Sequence, residues 1–325
     1  MYKRQDSFNQ DIGSWDVSNG KKFGAMFTGA DSFNQDIGDW DVSKGNDFSL
    51  MFAYTPEFNQ DIGGWDVSNG TSFAQMFYEA DSFNQDIGDW DVSSGSDLKF
   101  MFAYASGFDQ DLSSWTPSEN ASLTSMFEGA DLMQSNQGVG NTPSIYYFYP
   151  YVFTNKTTLQ TAVDEWIDDQ DAARETYGDI NKWDVSQITD FSELFKDKRS
   201  FNSDIGDWDV SAGTDFSEMF YNTEAFNQDI GDWDVSKGTD FSWMFYRARF
   251  FNQDIGDWDV SKGTDFSKMF HDTPNFNQDI GNWDVSNGTD FSYMFRSAYV
   301  FDQDIGDWDV SLSLIHISEP TRQDR

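Results

Sequence analysis

The chain has 325 residues, no cysteine, an aromatic content of 18% and a formal net charge of -37 at pH 7. So high an aromatic content excludes a disordered acidic tail, which means that the charge must decorate a folded protein. The negative charge argues against binding to nucleic acid or to an anionic membrane, and the lack of cysteine excludes disulfides and thiolate metal sites.

A 25-residue unit recurs along the chain with little drift. One copy reads F-N-Q-D-I-G-D-W-D-V-S over residues 251–261 and continues, after a polar turn, with D-F-S-K-M-F over residues 265–270. Self-similarity at this period predicts a stacked solenoid, because one unit is too small to bury its own apolar face. The repeated tryptophans mark a set of five coils and a set of six, about 11 in all: Trp15, Trp40, Trp65, Trp90, Trp115, Trp183, Trp208, Trp233, Trp258, Trp283 and Trp308.

The two ends of the chain, residues 1–5 and 312–325, match no repeat. Both resemble translated sequencing-adapter sequence of the kind found at the ends of assembled metagenomic fragments, and we expect neither to be native. The repeat is already under way at residues 6–8, so we expect the chain to start within a coil.

The first array of five coils spans residues 6–131, and each coil predicts one short strand. Ile37, Trp40 and Val42 follow the L-x-x-L-x-L spacing of leucine-rich repeats, in which the last two apolar residues point inward from a strand. This spacing predicts a strand near residues 39–43. Gly45 follows where the chain must turn sharply.

A short helix is predicted after the turn of each coil. Its apolar residues fall at i, i+3, i+4 and i+7, which is one face of two helical turns, and Asp47 precedes them as an N-cap. In one coil these residues are Phe48, Met51, Phe52 and Thr55. The predicted fold class is therefore an α/β repeat solenoid, leucine-rich-repeat-like, with one short parallel strand plus one short helix per coil.

A non-repeating segment separates the two arrays. Pro117 replaces the inward Val of the fifth coil, and we expect it to end the first strand stack. Residues 132–156 predict an aromatic linker, and residues 157–177 carry a long apolar stripe that predicts a helix capping the second array. The second array, with this helix and six coils, spans residues 157–311. Continuous stacking through the break is the alternative.

The core F-N-Q-D-I-x-x-W-D-V-S with its following D-F-S-x-M-F resembles the repeat of BspA-like leucine-rich-repeat surface proteins, also met in mycoplasmas as a domain of unknown function. The resemblance covers nearly all of residues 6–311. It implies an exported or surface-displayed protein that binds host or partner molecules, with no catalytic residues to transfer. The turn departs from the family pattern, because glycine replaces its usual valine and would loosen packing there: Gly213, Gly238, Gly263 and Gly288.

One row of aspartates is a candidate cation site. These residues are expected to point outward between the inward Trp and Val: Asp41, Asp66, Asp91, Asp209, Asp234, Asp259, Asp284 and Asp309. Carboxylates stacked at the ~4.8 Å strand spacing repel one another, so the row needs water, salt or a bound cation such as Ca²⁺. A solvated acidic face is the simpler interpretation, because no loop has the EF-hand or β-roll spacing.

Residues that vary between otherwise identical coils are expected to be exposed and are candidates for binding a partner. They are Phe100, Trp243, Lys268, Tyr293, Tyr246, Arg247 and Arg296. Variation without selection explains the same pattern.

No catalytic constellation stands out. His271 occupies a position where other coils carry Tyr246 or Arg296, and paired carboxylates recur in every coil rather than at one site. We therefore expect a non-enzymatic cell-surface or secreted scaffold, without cofactor or membrane span in this fragment, that mediates binding or adhesion to protein or glycan partners. The alternatives are a calcium-loaded structural surface-layer element and, less favoured, a carbohydrate-active enzyme. The extracellular location rests on the resemblance.

Overall fold

The computed structural model describes residues 6–313, which divide into two compact units. Unit 1 holds residues 6–150 with Arg174–Gly178, and unit 2 holds Tyr151–Ala173 with residues 179–313. Three short helices lie in or beside the break between the arrays: α1 (Asp131–Gln137), α2 (Lys156–Asp168) and α3 (Gln170–Tyr177). Short 3-10 turns occupy Ile145–Tyr147, Ile180–Lys182 and Ser311–Ser313. The predicted non-native ends, residues 1–5 and most of 312–325, lie outside the described residues.

The predicted α/β solenoid with one strand and one helix per coil is wrong. Residues 6–313 contain no strand or sheet, and neighbouring coils meet through isolated parallel bridges such as Asp47 with Ser72. The segment near residues 39–43 has turns at both ends and no strand between them, and Trp40 N donates to Ile37 O (3.1 Å) within its own coil. The bridges form instead at the residue predicted as an N-cap.

The predicted helix of each coil is also wrong, although the apolar stripe given above for one coil is fully buried. Leu50 and Tyr54 adopt φ of 58° and 57°, which a right-handed helix does not contain. Leu50 N donates to Ala74 O of the next coil (2.9 Å), whereas Ala53 N donates to Leu50 O (3.2 Å) within a turn. A succession of turns therefore brings the four residues of the stripe to one side, as a helix would. They are Phe48, Met51, Phe52 and Thr55.

Side chains of the same type stack from coil to coil and form the core of each unit. The rings of Trp65 and Trp90 lie 6.5 Å apart with an interplanar angle of 2°, and those of Phe48 and Phe73 lie 5.5 Å apart at 7°. The stacked indoles also find hydrogen-bond partners, as when Trp65 Nε1 donates to Ile37 O of the preceding coil (3.1 Å). This pairing removes the cost of burying the polar end of the ring.

The turn glycines of unit 2 do not loosen packing. A Cβ at Gly213 would lie 2.4 Å from Cζ of Phe216, so the phenylalanine ring fills the space that a valine would need. A Cβ atom at Gly263 would likewise overlap Cζ of the Phe266 ring. The expectation of a looser corner is therefore wrong, because the aromatic ring compensates for the missing side chain.

Two helices occupy residues 156–177 instead of one. Asn155 caps α2 by accepting a hydrogen bond from Thr158 N (3.0 Å), and Asp169, with φ of -151°, separates α2 from α3. Trp166 of α2 packs edge-on against Trp183, the core tryptophan of the first coil of unit 2, with ring centroids 5.9 Å apart. The helix therefore covers the opening face of unit 2.

Candidate functional site: an aromatic and cationic patch

Two residues of each coil adopt positive φ, and most residues that vary between coils occupy these positions. The first position is the x of D-F-S-x-M-F, where Trp243, Lys268 and Tyr293 all have φ of 57°. The second comes four residues later and includes Arg247, also at 57°. A residue other than glycine pays ~1–2 kcal/mol for this conformation. Hydrogen bonds to the next coil, such as Lys268 N to Ser292 O (2.9 Å), offset this cost.

Because these residues occupy equivalent positions of successive coils, their side chains gather on one face of unit 2. Lys268 Nζ lies 3.8 Å from the ring centroid of Trp243 and 5.7 Å from that of Tyr293. Arg296 Cζ lies 5.5 Å from the Tyr293 ring. These are the distances at which a cation is attracted to the face of an aromatic ring. The aromatic–cationic patch consists of Tyr221, Trp243, Tyr246, Arg247, Lys268, His271, Tyr293 and Arg296.

The patch combines an exposed ring with three cations, of which two form no ion pair with a described residue. Tyr293 is 57% exposed. Arg247 Nε contacts Asp272 Oδ2 at 3.1 Å, whereas Lys268 and Arg296 form no ion pair with any described residue. These two cations stand out on a protein with a net charge of -37.

His271 is a packing residue within the patch. Its ring meets Tyr246 edge-on at 5.1 Å and stacks beside Tyr293 at 6.4 Å. Burial lowers the pKa of His271, and the nearby cations Arg296, Lys268 and Arg247 lower it further against the opposing effect of Asp272. The lowered pKa favours the neutral imidazole, and the positive charge of the patch comes from its Arg and Lys side chains.

The structure brings six of the seven predicted partner-binding residues together. Phe100 is the exception, because it lies in unit 1, where it is half-buried at the same backbone position with φ of 55°. Sequence reasoning did not select Tyr221 or assign His271 to this group. Both could have been placed in this group from the sequence, because each lies 25 residues from Tyr246 and so occupies the same position of the repeat.

The corresponding face of unit 1 has tyrosines and a carboxylate in place of the cations. The rings of Tyr54 and Tyr78 lie 5.2 Å apart, and those of Tyr78 and Tyr104 lie 5.6 Å apart. Tyr104 Oη donates to Glu128 Oε1 at 2.6 Å. The two units therefore present different chemistry on equivalent surfaces.

The predicted outward row of aspartates is exposed at every position: Asp41, Asp66, Asp91, Asp209, Asp234, Asp259, Asp284 and Asp309. Each carboxylate is engaged within its own turn, as when Asp41 Oδ1 accepts hydrogen bonds from Ser43 Oγ (2.6 Å) and Ser43 N (3.1 Å). These hydrogen bonds lower the pKa of Asp41. Among residues 6–313, no three His, Asp or Glu side chains come together in a way that could hold a metal ion.

A second row of aspartates, which sequence reasoning did not recognise as a row, occupies the bridge position of unit 2. Its members are Asp190, Asp215, Asp240, Asp265 and Asp290. Burial raises the pKa of Asp240, and the carboxylates of Asp265 and Asp215 on either side raise it further. At the start of the row, Asp190 Oδ1 accepts from Lys156 Nζ of α2 at 2.8 Å. The row could have been predicted from the sequence, because the Asp that begins the motif D-F-S recurs every 25 residues.

Comparison with known proteins gives one family. The model of DUF285, described as a Mycoplasma protein of unknown function, matches five stretches of the chain: residues 1–82, 38–142, 61–166, 169–273 and 244–317. No curated protein and no solved structure matches the chain. None of the helices in the described residues is both long and apolar enough to cross a bilayer.

Proposed function

The chain belongs to the DUF285 family, and we propose that it is a non-enzymatic binding scaffold whose contact surface is the aromatic–cationic patch of unit 2. One observation carries the proposal: residues that differ between otherwise identical coils, such as Trp243, Lys268 and Tyr293, assemble into a single patch. Tyr, Trp and Arg are the side chains enriched at the centres of protein interfaces.

The chemistry of the patch favours a protein or glycan partner that offers an acidic group beside an apolar face. Lys268 and Arg296 have no ion pair among the described residues and are available to a carboxylate or sulfate. The exposed ring of Tyr293 lies between them and offers a flat surface for stacking. Adjacent coils would add contacts along the patch without any change of fold.

We further propose that the protein acts at a cell surface or in secreted form and is related to BspA-like leucine-rich-repeat surface proteins. The support is the motif F-N-Q-D-I-x-x-W-D-V-S with its following D-F-S-x-M-F, which recurs across both units. The relationship proposed is one of repeat sequence, since the coil does not form the strand of a leucine-rich repeat.

The experiment is a binding screen of the purified chain against a glycan array and a panel of immobilised extracellular-matrix proteins. For any ligand found, we expect Trp243→Ala and Lys268→Ala each to weaken binding by at least about tenfold, or about 1.4 kcal/mol. Gln75→Ala is the matched control, because Gln75 occupies the same positive-φ position (57°) in unit 1. Ligand binding that is equally sensitive to all three substitutions, or to none, would contradict the proposal.

A further inference from the structure

On unit 2, cations of the chain itself lie over half-buried rings of the repeat. Arg247 Cζ lies 5.3 Å from the ring centroid of Tyr246, and Arg247 Nε contacts Asp272 Oδ2 at 3.1 Å. Lys268 Nζ lies 3.8 Å from the ring centroid of Trp243. Arg247 shows that this surface of a coil holds a guanidinium against a ring and a carboxylate at the same time.

Unit 1 presents rings and carboxylates at the same positions of the repeat, but no cation. These residues form what we call the tyrosine–glutamate face: Tyr54, Tyr78, Glu79, Tyr104 and Glu128. In all five coils of unit 1, neither Lys nor Arg occurs at the positions of Tyr246 and Arg247 or at the first positive-φ position. No described cation lies over the three tyrosine rings, and neither glutamate forms an ion pair with a described residue. The face is therefore aromatic and acidic, without a counter-charge among the described residues.

The three tyrosines of this face belong to the second, third and fourth coils, so each has a coil on either side. Neighbouring coils are joined here, because Tyr54 N donates to Tyr78 O (2.7 Å) and Tyr104 N donates to Glu128 O (2.6 Å). The side chains of Tyr54 and Tyr104 are nevertheless 42% and 40% exposed. The ring centroids of Tyr54 and Tyr78 lie 5.2 Å apart, and those of Tyr78 and Tyr104 lie 5.6 Å apart. The rings therefore form one contiguous, accessible surface in the interior of the array.

The carboxylates of the tyrosine–glutamate face lie beside its rings. The Tyr104 hydroxyl donates to Glu128 Oε1 (2.6 Å), and this hydrogen bond lowers the pKa of Glu128. Burial raises the pKa of Tyr78, and the neighbouring Tyr54, Glu79 and Glu128 raise it further. The rings therefore stay neutral while the carboxylate beside them is ionised. A planar guanidinium can stack on such a ring and donate two hydrogen bonds to the carboxylate, whereas the ammonium of lysine acts as a point charge.

We propose that the tyrosine–glutamate face of unit 1 binds arginine side chains from a basic segment of another protein. The guanidinium lies over the rings of Tyr78 and Tyr104 and donates to the Glu128 carboxylate, as Arg247 does in unit 2 with a ring and a carboxylate of its own chain. The net charge of -37 draws a basic partner towards the protein. This partner is opposite in charge to the one that the patch of unit 2 favours, so the two sites are independent of each other.

The test is the binding of the purified full chain to a fluorescent peptide of alternating arginine and glycine, measured by anisotropy at physiological ionic strength. A peptide of alternating lysine and glycine carries the same charge and serves as the comparison. We expect the arginine peptide to bind at least about threefold more tightly, because its guanidinium groups stack on the rings as well as pairing with the carboxylates. Equal affinity for the two peptides, or no binding of the arginine peptide, would overturn the proposal.

A double variant locates the binding site on the rings. Tyr78→Ala with Tyr104→Gly should weaken binding of the arginine peptide about tenfold, because both rings are removed. We expect this variant to fold, since other coils of unit 1 carry the new residues at the same two positions: Ala53 and Ala103, and Gly29 and Gly129. Phe250→Ala is the control, since it removes a ring that is 62% exposed on unit 2, outside the face, and should leave binding unchanged.

A pair of charge variants separates this site from attraction by the net charge. Glu128→Gln should weaken binding of the arginine peptide about threefold, whereas Asp66→Asn, which removes the same charge from an exposed turn of unit 1, should change it less than about twofold. Circular dichroism establishes that each variant remains folded. Equal losses in the two charge variants, or full binding by the double tyrosine variant, would show that the peptide follows the net charge and would overturn the proposal.

Discussion

The coils that open unit 1 and unit 2 place the same core residue in opposite environments. Trp15 is 52% exposed, whereas Trp183 is 2% exposed. In unit 2, the rings of Trp166 from α2 and Phe153 lie 5.9 and 5.0 Å from the ring of Trp183. No described residue covers Trp15 in this way. The difference shows that a coil buries its core tryptophan only where another coil or a non-repeating segment packs against it.

The contacts of α2 show how a non-repeating segment covers the first coil of unit 2. Gln160 Nε2 donates to Leu194 O (3.0 Å), a carbonyl that would accept from a preceding coil in the interior of the array. Lys156 contacts the Asp190 carboxylate and also donates to Ser192 Oγ. The helix thus replaces part of the hydrogen bonding of a coil while its aromatic side covers the core. The first coil of unit 1 lacks both kinds of contact within the described residues.

Substitution of the two opening tryptophans should give the largest effect. Trp183→Ala removes a buried ring and should lower the free energy of unfolding of unit 2 by about 3–5 kcal/mol. Trp15→Ala should cost roughly 1 kcal/mol, because half of that ring is already in water and only its contact with Trp40 (6.4 Å) is lost. Urea denaturation followed by circular dichroism measures both. Equal losses would mean that α2 does not cover its coil in solution.

The comparison also shows which parts of the fold the sequence could predict. Spacing placed Ile37, Trp40 and Val42 in the core, and all three are buried. The backbone conformation was wrong, because the i, i+3, i+4, i+7 pattern is met equally by successive turns that use positive φ. Leu50 and Tyr54 give no glycine signal for such turns. Gly29, which has φ of 68° at the second positive-φ position, is a glycine that does indicate such a turn.

The candidate site was partly predictable for a related reason. Variation between coils selected Trp243, Lys268 and Tyr293 because exposed positions tolerate change, and the structure gathers them on one face. The 25-residue period gives these side chains a common direction. Their ring and cation contacts could not be derived, because they depend on turns with positive φ that the residue types at these positions do not signal.

Substitution of two bridge aspartates should change the free energy of unfolding by smaller amounts and in opposite directions. Burial and the carboxylates of Asp265 and Asp215 raise the pKa of Asp240, so its ionised form is disfavoured in the folded state. Asp240→Asn should therefore raise the free energy of unfolding at pH 7 by on the order of 0.5 kcal/mol. The amide oxygen can still accept from Ser242 N, as the carboxylate does at 2.9 Å.

Asp190→Asn, in the coil covered by α2, should lower the free energy of unfolding at pH 7 by a similar amount. Burial raises the pKa of Asp190, but hydrogen bonds from Lys156 and Ser192 outweigh burial and leave the pKa lowered. Its stabilisation is present above the unfolded pKa near 3.8 and is lost as pH falls through the lowered folded value. The penalty at Asp240 is absent below the unfolded value and appears as pH rises through its raised value. Urea denaturation at pH 7 and about pH 3 tests both substitutions. The difference in free energy of unfolding between each variant and the wild type should be smaller at the lower pH.

The smallest expected effect is that of calcium on the outward aspartates, which run through both units. Their carboxylates are exposed and bonded within their own turns, as Asp41 is to Ser43, so we expect CaCl₂ to raise thermal stability no more than NaCl at equal ionic strength. Thermal melts and calorimetric titration measure this for the wild type and for Trp15→Ala and Trp183→Ala. Screening by either salt should leave the difference in thermal stability between those two variants unchanged, because it acts alike on both opening coils. Saturable heat from calcium alone would instead show that the cation bridges the row and stabilises the coils by a route independent of α2.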